Sequence, residues 1–173
     1  MKQIVKTITK KDFSTFVNTL IKDGSYDVVG VQAKGKCYVF DTLSSAEELR
    51  LNYDVTILPP KKYFLPQYEM LLKFSLQKPY EAKETITDSP RIIIGVHPYD
   101  IIALEQTDRH YFDQQQDNFY KKRRENTLII GVDIQNVSER SFAASMNTNT
   151  TETGFDLLLT DIGTSYAVTI GSE

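Results

Sequence analysis

Two short stretches carry most of the side chains with chemical potential. Residues 95–100 read GVHPYD, and residues 131–148 read GVDIQNVSERSFAASMNT. His97 stands three residues before Asp100, a spacing that suits an acid/base pair. The alternative is a histidine satisfied by its own loop, because no nucleophile accompanies it. Ser141 and Ser145 have no base beside them in sequence, as a serine nucleophile requires. His110 lies in DRHYFD at a helix end and reads as a surface residue. Two histidines this far apart, with a single cysteine at Cys37, do not make a zinc signature. Cys37 falls in a strand-like run and reads as packed rather than reactive. Lys121, Lys122, Arg123 and Arg124 form a basic run suited to a phosphate or an acidic protein. The same run also reads as a solvated helix face, with one arginine used structurally.

Both stretches follow apolar runs, RIIIGV (91–96) and TLIIGV (127–132). Such β-branched runs are typical of strands buried on both faces. Between them PYDIIALEQTDRHYF reads as a helix, with Pro98 in its first turn. DNFYKKRREN follows as a polar, basic helix end or loop. Strand, helix, strand predicts a parallel βαβ core, and α/β proteins place their chemistry where such strands end. Upstream, MKQIVKTI reads as a short strand. DFSTFVNTLIKDG reads as a helix, with Phe13, Phe16, Val17, Leu20 and Ile21 on one face, Asp12 as N-cap and Gly24 as stop. YDVVGVQA and KCYVFD read as a hairpin turning at Lys34-Gly35. SSAEELRLN suits a helical turn capped by Ser45, with Glu48 three residues on. The prolines at 59, 60 and 66 exclude a regular helix there, and QYEMLLKFSL reads as a helical turn, then a strand. GFDLLLTDI and SYAVTIGS form a C-terminal hairpin near Gly163. The expected fold is mixed α/β: an antiparallel, meander-like first half, the βαβ core, and the terminal hairpin, in a single domain over 1–173.

Hydrophobic residues at 40% and charged residues at 25% are ordinary for a globular domain. A net charge of −3 gives no basic excess for a nucleic-acid or membrane-surface partner. The longest apolar runs, about five to seven residues, fall far short of the roughly 18 of a membrane span. The N-terminus has charges but no apolar h-region, so no secretory signal is expected. One cysteine forms no internal disulfide. A cytoplasmic location is the simplest expectation.

The ordered series PPKKYFLP and LLKF, IIIGVHPYDIIAL, RREN-LIIGV, SFAASMNT and GFDLLLTD resembles the β subunit of cytoplasmic sulfhydrogenases. It equally resembles the A subunit of anaerobic sulfite reductase. Both are iron–sulfur electron-transfer proteins, and the resemblance spans essentially the whole chain. In that family the first motif typically reads GVHPCD or GVHACD. The second reads GV-x-C, with CFC a few residues on. Four such thiolates suit a [4Fe–4S] cubane. By this resemblance the four ligand positions fall on Tyr99, Ile134, Ser141 and Ala143, with Phe142 kept between the last two. None is cysteine, so no cluster and no metal is expected here. Tyr99 and Ile134 are expected to fill the space a cluster would take.

The family also carries a C-terminal ferredoxin-like part with two CxxCxxCxxxCP clusters, absent from this sequence. Either the natural protein ends here or the chain is part of a longer one. The resemblance implies a flavin- and NAD(P)-binding partner subunit, and hydrogenase or sulfite reductase subunits. The basic run 121–124 and the aromatic PPKKYFLP segment are the candidates for docking. Three functions stay open: a clusterless scaffold domain of an electron-transfer subunit, a stand-alone ligand- or protein-binding regulatory module reusing the cluster cavity, and an enzyme using His97 and Asp100.

Overall fold

A computed structural model describes residues 4–85, 89–114 and 117–171. The chain begins with β1 (Ile4–Thr9) and α1 (Lys10–Asp23). Thr9, not Asp12, is the N-cap of α1: its hydroxyl accepts from the Asp12 backbone N–H at 3.1 Å and donates to the Asp12 carboxylate at 2.7 Å. The cap sits three residues earlier than expected, and the Asp12 carboxylate steadies the capping hydroxyl. Gly24 ends the helix with φ +69°, a conformation glycine adopts without a Cβ clash.

The hairpin of β2 (Asp27–Lys34) and β3 (Cys37–Thr42) follows, with Lys34 opposite Cys37, so the turn is Gly35-Lys36. A 3-10 turn spans Ala46–Glu48 under a Ser45 cap, and the Glu48 carboxylate accepts from the Ser44 N–H at 2.8 Å. A second spans Pro60–Tyr63, as much helix as the prolines allow. No helical turn follows Pro66; the chain goes into a small separate hairpin, β4 (Leu72–Phe74) and β5 (Ala82–Glu84). Then come β6 (Arg91–Val96), α2 (Pro98–Arg109) with a π-type turn at His110–Gln114, and α3 (Asn118–Glu125). β7 (Thr127–Val132), β8 (Leu157–Asp161) and β9 (Ser165–Ile170) complete the fold. The helix α3 forms because the Asp117 carboxylate accepts from the N–H groups of Phe119 and Tyr120, an N-cap that makes the basic stretch helical.

Seven strands make one mixed sheet in the order β1-β9-β8-β7-β6-β2-β3. The middle, β2, β6, β7 and β8, is parallel, and the hairpins β2–β3 and β8–β9 add antiparallel strands on either side. The fold is mixed α/β with the expected βαβ core and C-terminal hairpin. Antiparallel pairing within the first half consists of two separate hairpins, β2–β3 in the main sheet and β4–β5 apart from it. β1 instead pairs with β9 at the opposite edge, in register Ile4 with Ile170. Its side chains are nearly all exposed, which suits an edge strand, whereas Val28, Val29 and Val31 of β2 are buried. β6 and β7 are buried almost throughout, with Ile92, Ile93, Ile94, Ile129 and Ile130 in the core. Phe13 and Val17 of α1, Ile101 and Leu104 of α2 and Tyr120 of α3 close over them. The result is two neighbouring parallel strands whose carboxyl ends, at Val96 and Val132, lie side by side.

Candidate functional site

β6 and β7 run in register from Arg91 opposite Thr127 to Ile94 opposite Ile130, then slip by one residue before Val96 opposite Gly131. The slip falls at Gly95, which has φ +91°. This bulge turns the strand end so that His97 caps α2 and Tyr99 enters its first turn. The chain leaving β7 is tied at Asp133, whose N–H donates to Leu159 O at 2.9 Å. Its carboxylate also accepts from the Thr160 hydroxyl. Beyond Asp133 the loop is held mostly by local turns: Ser141 N–H to Ser138 O at 2.9 Å, and Thr148 N–H to Ala143 O at 2.9 Å.

The two loops enclose a cavity of about 440 Å³. Tyr99, Ile134, Ser141 and Ala143 all line it, so four positions spread over 45 residues of sequence converge on one space. Phe142, Val55, Val137, Asp54 and Arg140 also border it. Tyr99 and Ile134 form walls and do not fill the space. A residue's bulk occupies a cavity only if its surroundings collapse around it, and this loop makes few inward contacts.

His97 is fully buried beneath this cavity wall. Its ring stacks on Tyr53 at 4.0 Å and 6°. Its Nδ1 shares a 2.7 Å hydrogen bond with the Tyr99 hydroxyl, which also donates to Asp54 O at 3.4 Å. Tyr53 in turn donates to Gly95 O at 2.8 Å. Burial pulls the His97 pKa down to about 4, with the Asp54 charge opposing weakly, so the ring is neutral at pH 7. Its Nε2 has no partner among the described residues. Burial also holds the Tyr99 hydroxyl well above its ordinary pKa, aided by the Asp100 and Asp54 charges. Burial pushes Asp100 up to about 7, and Lys61 only partly offsets it. Asp100 is joined to His97 only through the backbone, its N–H donating to His97 O at 3.0 Å; among the described residues no hydrogen bond links their side chains. The histidine is held by two tyrosines, which is a positioning arrangement and not an acid/base dyad.

A sulfhydrogenase 2 β subunit from Pyrococcus furiosus is 33% identical to this chain over 160 residues. The match covers 92% of the chain. Over this stretch the chain is similar to a sulfhydrogenase β subunit. It spans about half the length of that curated relative, 46% of it. No family model and no solved structure matches the chain.

The sulfhydrogenase resemblance places cluster thiolates at the four cavity positions, and the side chains present do not fit a cubane. Tyr99 and Ser141 offer neutral hydroxyls, and Ile134 and Ala143 offer hydrocarbon. Soft thiolates are what such a cluster takes. Cys37 sits exposed on β3 and does not line this cavity. Among the described residues no group of three or more His, Cys, Asp or Glu is arranged to hold a metal ion. No helix of the described residues is long and apolar enough to cross a membrane.

The basic run is not a free patch. Arg123 donates from Nε to Phe64 O at 2.8 Å and pairs with Glu69. Arg124 pairs with Asp108 at 3.0 Å and lies over the Phe64 ring. Both arginines are held against Phe64, Arg123 through its carbonyl and Arg124 over its ring. Lys122 is half-buried, and only Lys121 is exposed, in a loose 3.9 Å contact with Glu125. The PPKKYFLP segment is likewise spent on packing: Phe64 and Pro60 are buried, and Lys62 donates to Phe40 O at 2.6 Å. Exposed apolar surface lies on the β4–β5 hairpin, where Leu72, Phe74, Leu76 and Tyr80 face solvent, and on the loop after β7, at Val137, Phe142 and Met146. Asp54, Val55 and Arg140 were not singled out in the sequence. Only Arg140, adjacent to SFA, carried a positional hint.

Proposed function

We propose that this chain is a scaffold domain of a sulfhydrogenase-like electron-transfer subunit, one that holds no cluster of its own and docks a flavin/NAD(P)-binding subunit. The observation that carries the reading is the meeting of Tyr99, Ile134, Ser141 and Ala143 in one cavity with no thiolate among them. The relative's name, a β subunit, supports membership of a multi-subunit assembly. The β4–β5 hairpin supports docking better than the basic run does. An isolated two-stranded ribbon is marginal in water, and its exposed Phe74, Leu76 and Tyr80 fit burial against a partner. Iron and acid-labile sulfide, measured with a visible spectrum after anaerobic reconstitution, test the reading. A colourless protein without stoichiometric iron is expected. A brown protein with near-stoichiometric iron and sulfide overturns it.

A second reading, a ligand-binding module that reuses the cavity, is favoured by a specific observation. The cavity stays open although bulky residues stand at two of its four former ligand positions.

A further inference from the structure

The walls of the cavity are chemically uneven. Val55, Ile134, Val137, Phe142 and Ala143 give it an apolar lining. Arg140 stands on the same rim, and among the described residues it makes no ion pair and no hydrogen bond. The other arginines near β7, Arg123 and Arg124, are each tied to a carboxylate. Asp54 also borders the cavity, yet it lies beyond ion-pair distance of Arg140, and its carboxylate accepts from the Val55 N–H at 2.7 Å. Ser138, Ser141 and Thr148 add hydroxyls. Pockets of this volume with apolar walls and a few polar groups suit small organic ligands.

We propose that the cavity between the loops after β6 and β7 binds a small amphipathic monoanion, its apolar body against Phe142, Val137 and Ile134 and its anionic group on Arg140. This inference rests on the ligand-binding reading and is independent of the electron-transfer one. A guanidinium without a protein partner is matched by a carboxylate or sulfonate, which it holds by two parallel hydrogen bonds. Asp54 sets the charge limit. A second negative charge would meet this carboxylate in a chain that already carries −3, so a monoanion is favoured over a phosphate dianion. The neutral Tyr99 hydroxyl and the buried neutral His97 add no competing charge beneath the floor.

The probe is 8-anilinonaphthalene-1-sulfonate, an aromatic monoanion whose fluorescence rises in apolar sites, titrated into the full chain at pH 8. One saturable site is expected. Arg140→Ala should weaken it about tenfold, the loss of one charge-assisted contact. Ala143→Phe, which fills the cavity, should abolish it. The double variant Phe74→Ser, Leu76→Ser should leave it unchanged, which excludes the exposed hairpin as the site. 4-Phenylbutyrate should displace the probe at lower concentration than phenyl phosphate. Binding that Ala143→Phe removes but Arg140→Ala leaves intact overturns the anion assignment and leaves the ligand-binding reading standing. No saturable binding, or binding insensitive to Ala143→Phe, overturns both. Circular dichroism of each variant shows that its fold is intact.

Discussion

Replacing Asp100 by asparagine should stabilise this protein, and by more as pH rises. Asp100 lies in the first turn of α2, where the helix dipole favours a carboxylate by about 0.3–1 kcal/mol. Burial works the other way and is larger, pushing its pKa from 3.8 to about 7. Between those values the folded chain keeps a proton that the unfolded chain has released. Stability therefore falls as pH rises through this window and is flat on either side. Three pH units correspond to about 4 kcal/mol for a fully shielded group, and partial contact with solvent reduces this to about 2 kcal/mol.

His97 has the opposite slope. Its folded pKa of about 4 lies below the ordinary 6.5, so its contribution is present above 6.5 and is lost as pH falls through 4. From pH 4 to 6.5 the two groups oppose each other, and together they contribute little net slope. Asp100→Asn removes one slope and exposes the other. The assay is thermal unfolding of wild type and variant side by side from pH 4.5 to 8.5, so that every other titrating group cancels in the difference. The gap should widen with pH to about 2 kcal/mol, roughly 4–8 °C for a domain of this size. A gap that is constant, or that narrows as pH rises, refutes the claim that Asp100 is desolvated.

Arg123→Ala should cost about 1–3 kcal/mol in chemical denaturation, since it breaks a part-buried pair, loses the bond to Phe64 O and strands Glu69, whereas Lys121→Ala should stay within about 0.5 kcal/mol. Equal effects would mean that the run acts as one surface patch. Tyr53→Phe should cost about 1–3 kcal/mol by leaving Gly95 O unpaired while keeping the stack on His97. A neutral result would show that water reaches that carbonyl. The double variant Leu76→Ser, Tyr80→Ser should leave the melting temperature of the domain unchanged and weaken co-purification with a flavin-binding subunit. Retained association would move docking away from the hairpin.

The buried strands were legible because RIIIGV and TLIIGV are continuous β-branched runs, and such runs have little alternative to a central position. Their parallel pairing followed from the helix between them. The place of β1 was not legible. IVKTIT carries no signal that selects β9 over β2, because edge pairing is decided by which strand lacks a neighbour in the finished sheet. The convergence of Tyr99 with Ile134, Ser141 and Ala143 came through family resemblance; no spacing rule joins residue 99 to residue 143. Asp54 and Arg140 reach the cavity from separate loops, and only tertiary placement reveals them. The inward turn of Arg123 and Arg124 was half legible: their position just before β7 suggested a structural use, but their partners Glu69 and Asp108 lie on other segments.

The persistence of the cavity has a physical reason that bears on both readings of function. The connection from β7 to β8 is fixed at its ends, by Asp133 N–H on Leu159 O and Asp156 N–H on Ile129 O, each at 2.9 Å. Between them Phe142 stays 69% exposed, and Met146 and Val137 are exposed too. Folding Phe142 inward would gain about 1.5–3 kcal/mol of apolar burial. Doing so would fix several loop residues at about 1–2 kcal/mol each, and the balance favours the open loop. In the pattern that the family resemblance implies, a cluster held by four thiolates joins the loops after β6 and β7 covalently. With Tyr, Ile, Ser and Ala in those positions, closure has to come from outside the chain. A ligand on Arg140 would order the loop from within the cavity, and a docked subunit would order it from above. Hydrogen exchange of residues 136–150 separates the two: protection conferred by the aromatic sulfonate alone places the closure in the cavity, and protection that appears only with the partner subunit places it at the interface.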